Sequence, residues 1–161
     1  MNSLVIFVVQ VILGFVTLGL LARWYVGPRL AGLPLETALQ PLLSFHTLRY
    51  VGLVFLAPTV VAPSLSQTFA VPAALGTTLA GLLALAAIAA LRARSRLAIP
   101  LTWVFSAVGL GDLANAFYQA LGGSVVNNLG AAYYIPIVLV PAAVVSHVMI
   151  LGLLLHRSGS R

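Results

Sequence analysis

Residues 87–100 read Ala87-Ile88-Ala89-Ala90-Leu91-Arg92-Ala93-Arg94-Ser95-Arg96-Leu97-Ala98-Ile99-Pro100. An apolar run meets three closely spaced arginines and then resumes. That is the pattern of two membrane-crossing helices joined on the cytoplasmic face, where short loops retain Lys and Arg. Working outward, the other arginines keep to the same side. Arg23 and Arg29 follow the first apolar run, Arg49 lies near the start of the second, and Arg157 and Arg161 follow the fifth. The connections 63–72 and 122–130 carry no charge. The pattern predicts an all-α polytopic membrane protein, a five-transmembrane-helix bundle with its N-terminus outside and its C-terminus cytoplasmic. Residues 1–161 then form a single membrane domain, with spans at about 4–24, 41–62, 73–91, 100–121 and 131–155, each near the ~20 residues a bilayer requires.

Composition bounds the rest. Apolar residues make up 61% of the chain and charged residues 6%, far below the ~25% charged residues of a soluble domain. Five spans leave no room for a soluble domain. The net charge of +6 sits in short loops beside apolar runs. It therefore reads as topology and contact with anionic headgroups rather than as a nucleic-acid surface. There is no cysteine and no lysine, which excludes disulfides, thiolate chemistry, cysteine-ligated metals and Schiff-base chromophores. The first run has its arginine after the apolar stretch, the reverse of a cleaved signal, and is expected to be a retained helix.

Prolines and small residues mark local features. Pro58 should kink the second span, and Pro136 and Pro141 should bend the fifth. Residues 27–40 read as the longest loop, with a short helical turn at 35–40. Gly76, Thr77, Thr78 and Gly81 mark a close-packing stretch of the third span.

The candidate chemistry is a handful of intramembrane polar residues. Asp112 is the sole acid within a span and lies about 24 Å from the cytoplasmic end at helical rise. Asn115 and Gln119 extend it into a polar stripe at i+3 and i+7. An aspartate in hydrocarbon costs roughly 3 kcal/mol and marks a functional position by default; the plainer alternative is a hydrogen bond to a neighbouring helix. His147 lies about 15 Å from the cytoplasmic end. It is expected about two turns from Asp112, within reach through a water or a small ligand. Its plainer reading is a bond to a carbonyl freed by a proline. Arg49 either snorkels to the surface or serves as counter-charge for Asp112 or for an anionic headgroup. His46 lies one turn shallower, on the same helical face as Arg49 and Tyr50.

Known chemistries find little footing. A bis-histidine haem b would need His46 and His147 at matching depth, and they differ by about 5 Å at helical rise. A metal centre would need more ligands than one aspartate and one histidine. No Gly-x-Ser-x-Gly elbow is present. No catalytic residue, metal or cofactor is expected, and the reading leans away from an enzyme.

Three stretches resemble a group of small, uncharacterised bacterial integral membrane proteins. They are Leu48-Arg49-Tyr50-Val51-Gly52-Leu53-Val54-Phe55-Leu56, then Val108-Gly109-Leu110-Gly111-Asp112-Leu113-Ala114-Asn115-Ala116, then Ile135-Pro136 through Val140-Pro141 to His147. The resemblance marks Arg49, Asp112 and His147 and implies a bacterial-type plasma (inner) membrane location, with no activity attached. That group carries a Gly-Asp pair in its third span, where this chain has Gly76-Thr77, so a two-carboxylate mechanism lacks its second acid.

The expectation is an intramembrane polar pocket between the second, fourth and fifth spans. Asp112 and His147 would titrate or bind, Asn115 and Gln119 would orient, and Arg49 would meet a small or amphipathic ligand from the cytoplasmic side, with proton coupling a variant of the same idea. The rival reading is a non-catalytic accessory subunit of a larger membrane complex, and a third is a haem or carotenoid carrier. The expected partners are the lipid bilayer and either further copies of the chain or a larger complex, not nucleic acid.

Overall fold

Helix α1, Ser3–Ala31, is one run of 29 residues. Asn2 caps it by accepting a hydrogen bond from the Leu4 amide at 3.0 Å. The computed structural model describes residues 2–121 and 124–158, and every regular element among them is helical. Near its end α1 widens into a π-helical turn over Ala22–Val26. Pro28 explains the position, because a proline ring clashes with the carbonyl four residues back and a wider turn relieves the clash. The helix then continues through Gly27–Ala31. The loop expected over 27–40 is thereby reduced to residues 32–34.

The second expected span is not one α-helix. Helix α2, Leu35–Thr47, tightens into a 3-10 helix over Leu48–Leu56. The chain leaves helical conformation at Ala57, whose φ of −90° and ψ of 109° are extended. A residue before proline is pushed out of the α region, so Pro58 ends the element instead of kinking it. The carbonyl of Val54 is taken by the Ala57 amide at 3.0 Å.

Helix α3, Gln67–Arg92, and helix α4, Ala98–Ala120, form the hairpin around the three arginines. A short helix α5, Ser124–Asn128, follows. The chain then passes through a 3-10 turn, Gly130–Tyr133, and a π turn, Ile135–Leu139, into α6, Val140–Ser158. This π turn also precedes a proline, Pro141. Gly14 of α1 lies against it, and a Cβ there would stand 2.6 Å from the Ile137 carbonyl oxygen and 3.1 Å from the Pro141 ring. Gly122 and Arg161 lie outside the described residues, as does the side chain of Arg157.

Small side chains face inward and large ones outward. Ala73, Ala74, Ala80, Ala84 and Ala87 of α3 are buried, whereas Leu75, Leu79, Leu82 and Leu85 of the same helix are exposed. Helices pack this way where the surroundings are as apolar as their side chains, and the pattern is compatible with a membrane location. Three helices are long and apolar enough to cross one: Ser3–Ala31, Gln67–Arg92 and Gly130–His156. Helix α4 has 23 residues but carries Asp112, Asn115 and Gln119.

The charged and uncharged connections gather at opposite ends. At one end Ala62 and Ala131 amides donate to the carbonyls of Asn128 and Val60, each at 3.0 Å. Ser3 Oγ donates to Asn127 Oδ1 at 2.5 Å, and Ser64 Oγ to Asn128 Oδ1 at 2.7 Å. Gly130, at φ +53°, lets the backbone press against the Val60 carbonyl, which any side chain would strike. At the other end Leu30, Leu39, Leu43, Leu91, Ala98 and Leu154 share one core, beneath Arg92, Arg94 and Arg96.

Candidate functional site

A 3-10 helix repeats every three residues, so side chains at i, i+3 and i+6 stack on one face. In Leu48–Leu56 that face is Arg49, Gly52 and Phe55, and these are the buried residues of the segment. Tyr50 points outward and is exposed; the face expected for an α-helix, with His46, Arg49 and Tyr50 together, therefore loses Tyr50. Gly52 lies against Thr77 so closely that a Cβ would collide with its methyl, and Phe55 meets Phe69 edge-on, ring centres 5.5 Å apart.

Arg49 does not snorkel. Its side chain is 7% exposed and its Nη2 donates to Asp112 Oδ2 at 2.7 Å, with the Asp112 side chain 9% exposed. Nε donates to Thr77 Oγ1 at 3.1 Å. Nη1 donates to the Gly109 carbonyl at 3.5 Å and lies 3.4 Å from His147 Nε2. A guanidinium has no acceptor, so between these two nitrogens it is the imidazole that receives. The Arg49 side chain thus reaches both Asp112 and His147.

Two glycines open the space. A Cβ at Gly76 would strike the Asp112 carboxylate. One at Gly109 would sit 2.6 Å from His147 Nε2 and 3.1 Å from Arg49 Nη1. The buried ion pair is tolerable because four groups from three helices satisfy the guanidinium, which limits the desolvation cost of burying charge.

Toward the arginine-bearing end lies a ring cluster. Phe105 stacks on His147, centres 4.8 Å apart, and meets His46 edge-on at 4.9 Å; the two imidazoles are 4.3 Å apart. Both histidines are fully buried. Both ring nitrogens of His46, Nδ1 of His147 and the hydroxyls of Ser106 and Ser146 have no hydrogen-bond partner among the described residues. Two imidazoles on opposite faces of one haem iron need ring centres about 6 Å apart, given metal–nitrogen bonds of about 2 Å. The close approach of these rings leaves no slot for a macrocycle.

Beside the guanidinium, and extending mainly toward the uncharged connections, is a cavity of about 90 Å³. Arg49, Thr77 and Asp112 supply its polar wall; Phe55, Phe69, Ala116 and Leu129 are among its apolar lining. Phe45 and Leu48, on the arginine-bearing side of Arg49, also line the cavity; this is the side from which a ligand is expected to reach Arg49.

Of the expected site residues, Arg49, Asp112, His147 and His46 come together. Asn115 and Gln119 do not. Gln119 Nε2 donates to Asn115 Oδ1 at 3.2 Å, with Asn115 exposed on the outer face of α4. Sequence reasoning misses Thr77, Gly109 and Phe105 as contributors. In the sequence Thr77 shows only as part of the close-packing stretch and as a departure from the resembled group's Gly-Asp pair. Phe105 and Gly109 carry no polar signal at all.

A family model described as a domain of unknown function (DUF8737) matches residues 6–155. The chain belongs to that family. The match takes in every residue of the Arg49 cluster and all the cavity lining. No curated protein and no solved structure matches the chain.

Proposed function

We propose that the protein is a small five-span membrane protein that binds an amphipathic small molecule in the cavity beside Arg49. The observation that carries this reading is the cavity's polarity gradient. Arg49, Asp112 and Thr77 form one polar patch and apolar side chains line the rest. A ligand's polar group would meet the ion pair, and its apolar part would extend toward the uncharged connections. Apolar walls with a few convergent polar groups are the usual makeup of a small-molecule site.

Five crossings are supported by length. Helix α2 and the 3-10 segment together rise about 38 Å, and α4 about 35 Å, against a hydrocarbon core of about 30 Å. With the arginines inside, the N-terminus lies outside and the C-terminus in the cytoplasm of a bacterial-type plasma membrane. The cavity then sits in the outer half of the bilayer.

The test is extraction of purified, detergent-solubilised protein followed by mass spectrometry of what it releases. The expected result is a near-stoichiometric apolar compound with one polar end, lost from Ala116→Leu, in which the new side chain fills the cavity. Release of bulk membrane lipid alone, equal in both proteins, would overturn the proposal.

A second reading, an accessory subunit or homo-oligomer, draws on Asn115. Its amide and that of Gln119 lie on the outer face of α4, one exposed and one half-buried. Polar side chains on a lipid-facing surface are met more cheaply by another helix than by hydrocarbon. Cross-linking that traps a second chain at residue 115 favours this reading.

A further inference from the structure

The end of α3 carries a feature that the internal cavity does not explain. The Arg94 amide bonds the Leu91 carbonyl at 3.1 Å, and the Ser95 amide bonds the Ala90 carbonyl at 2.9 Å. These two bonds define a Schellman termination, whose left-handed residue is usually glycine. Here that residue is Arg94, at φ +52°. An L side chain at this φ strains the backbone, and glycine would not. Arg92 already places a cation in the last turn of α3, where it complements the helix dipole. The termination therefore has no structural need of a second cation at the strained position.

Arg94 lines a broad groove between the start of α2 and the α3–α4 turn. Arg92, Arg96, Ser95, Glu36 and Gln40 line it too. Its volume, about 910 Å³, accommodates a headgroup rather than a single ion. Arg92, Arg94 and Arg96 make no ion pair and no side-chain hydrogen bond among the described residues. Among the described lining residues, three arginines against one glutamate leave a formal excess of two positive charges. Guanidinium forks pair in bidentate fashion with phosphate oxygens. A phosphate monoester near neutral pH carries about −1.5 to −2 and three free oxygens, and so matches this excess. A diester carries one charge and two free oxygens.

We infer that the groove formed by Arg92, Arg94 and Arg96 against residues 35–40 binds a phosphate monoester. On the membrane-spanning reading this end lies at the headgroup layer, where a phosphatidate-type lipid is one source and a soluble phosphate the other. The site is remote from the cavity beside Arg49 and does not depend on what that cavity holds.

The test follows thermal unfolding of detergent-solubilised protein with added dioctanoyl phosphatidate, dioctanoyl phosphatidylcholine or inorganic phosphate. Phosphatidate is expected to raise the midpoint in a saturable way, and phosphatidylcholine is not. An equal response to inorganic phosphate would assign the site to soluble phosphates; a response to phosphatidate alone would assign it to lipid. Arg94→Gly separates binding from folding. Its unliganded midpoint should stay level or rise, because glycine suits the backbone, while its apparent affinity for phosphatidate falls roughly fivefold, the worth of one interfacial arginine. Arg96→Gln should weaken binding by a similar factor without the backbone change. A phosphatidate response of wild-type size in both variants, or no response in the wild type to either phosphate compound, would overturn the inference.

Discussion

Arg49 divides the interior into two halves that are closed in different ways. Toward the arginine-bearing end, Ala38, Leu39, Leu43, Ala84, Ile150 and Leu154 are buried completely against one another. Toward the uncharged end a second core, including Leu65, Phe69, Ala70, Val125 and Leu129, is joined by hydrogen bonds between separate segments: Ala62 to Asn128, Ala131 to Val60, Ser64 to Asn128 and Tyr133 to Gln10. The cavity lies beside Arg49 and extends mainly into that second half. A half held together by dispersion must fill its volume, because side chains facing a void have no atoms there to attract them. A half that hydrogen bonds also tie at its rim can leave a space within its core.

The hardest test of this division is Arg49 itself. Arg49→Leu or Asp112→Leu alone should destabilise by about 3–5 kcal/mol, since each strands a buried charge. The double variant should regain most of that loss. Denaturation of the three proteins in one detergent measures it, and strictly additive losses would show that the pair does not act as a unit. Next in size is the packed half. Leu43→Ala should cost about 2–5 kcal/mol through the cavity it leaves, visible as a lowered unfolding midpoint. The smallest effect belongs to the open half. Ala116→Leu adds bulk where space exists and should change stability by less than about 1.5 kcal/mol, toward the low end of the usual penalty for overpacking a filled core. A large loss there would mean that the two halves are packed alike.

Much of this is legible in the sequence, and the reasons are physical. Charge placement is a property of loops and survives any detail of packing. Arg92, Arg94 and Arg96 accordingly mark one end of the fold, and most of each apolar run is helical among the described residues. Arg49, Asp112 and His147 stand out because polar side chains in apolar runs are costly and therefore few. The rest depends on helix type and on neighbours. A period of three places Arg49, Gly52 and Phe55 together, whereas a period of 3.6 keeps Tyr50 on that face. Asn115 and Gln119 follow Asp112 at spacings that share a side, yet a helix face is broad enough for Asp112 to point inward while Asn115 looks out. The π turn before Pro28 takes the place of part of the expected loop, and the π turn before Pro141 lies where a bend is expected, since widening a turn clears a proline clash without ending the helix.

The 3-10 segment is also a screw. A residue advances about 120° around a 3-10 axis and about 100° around an α-helical one, so from Arg49 to Phe55 the two forms differ by roughly 120° of rotation. Over Leu48–Leu56 they differ by about 4 Å in length. Relaxing the segment to α-helical pitch would shorten it and swing Phe55 away from the line of Arg49. The wall of the cavity would turn while the guanidinium stayed anchored at Asp112.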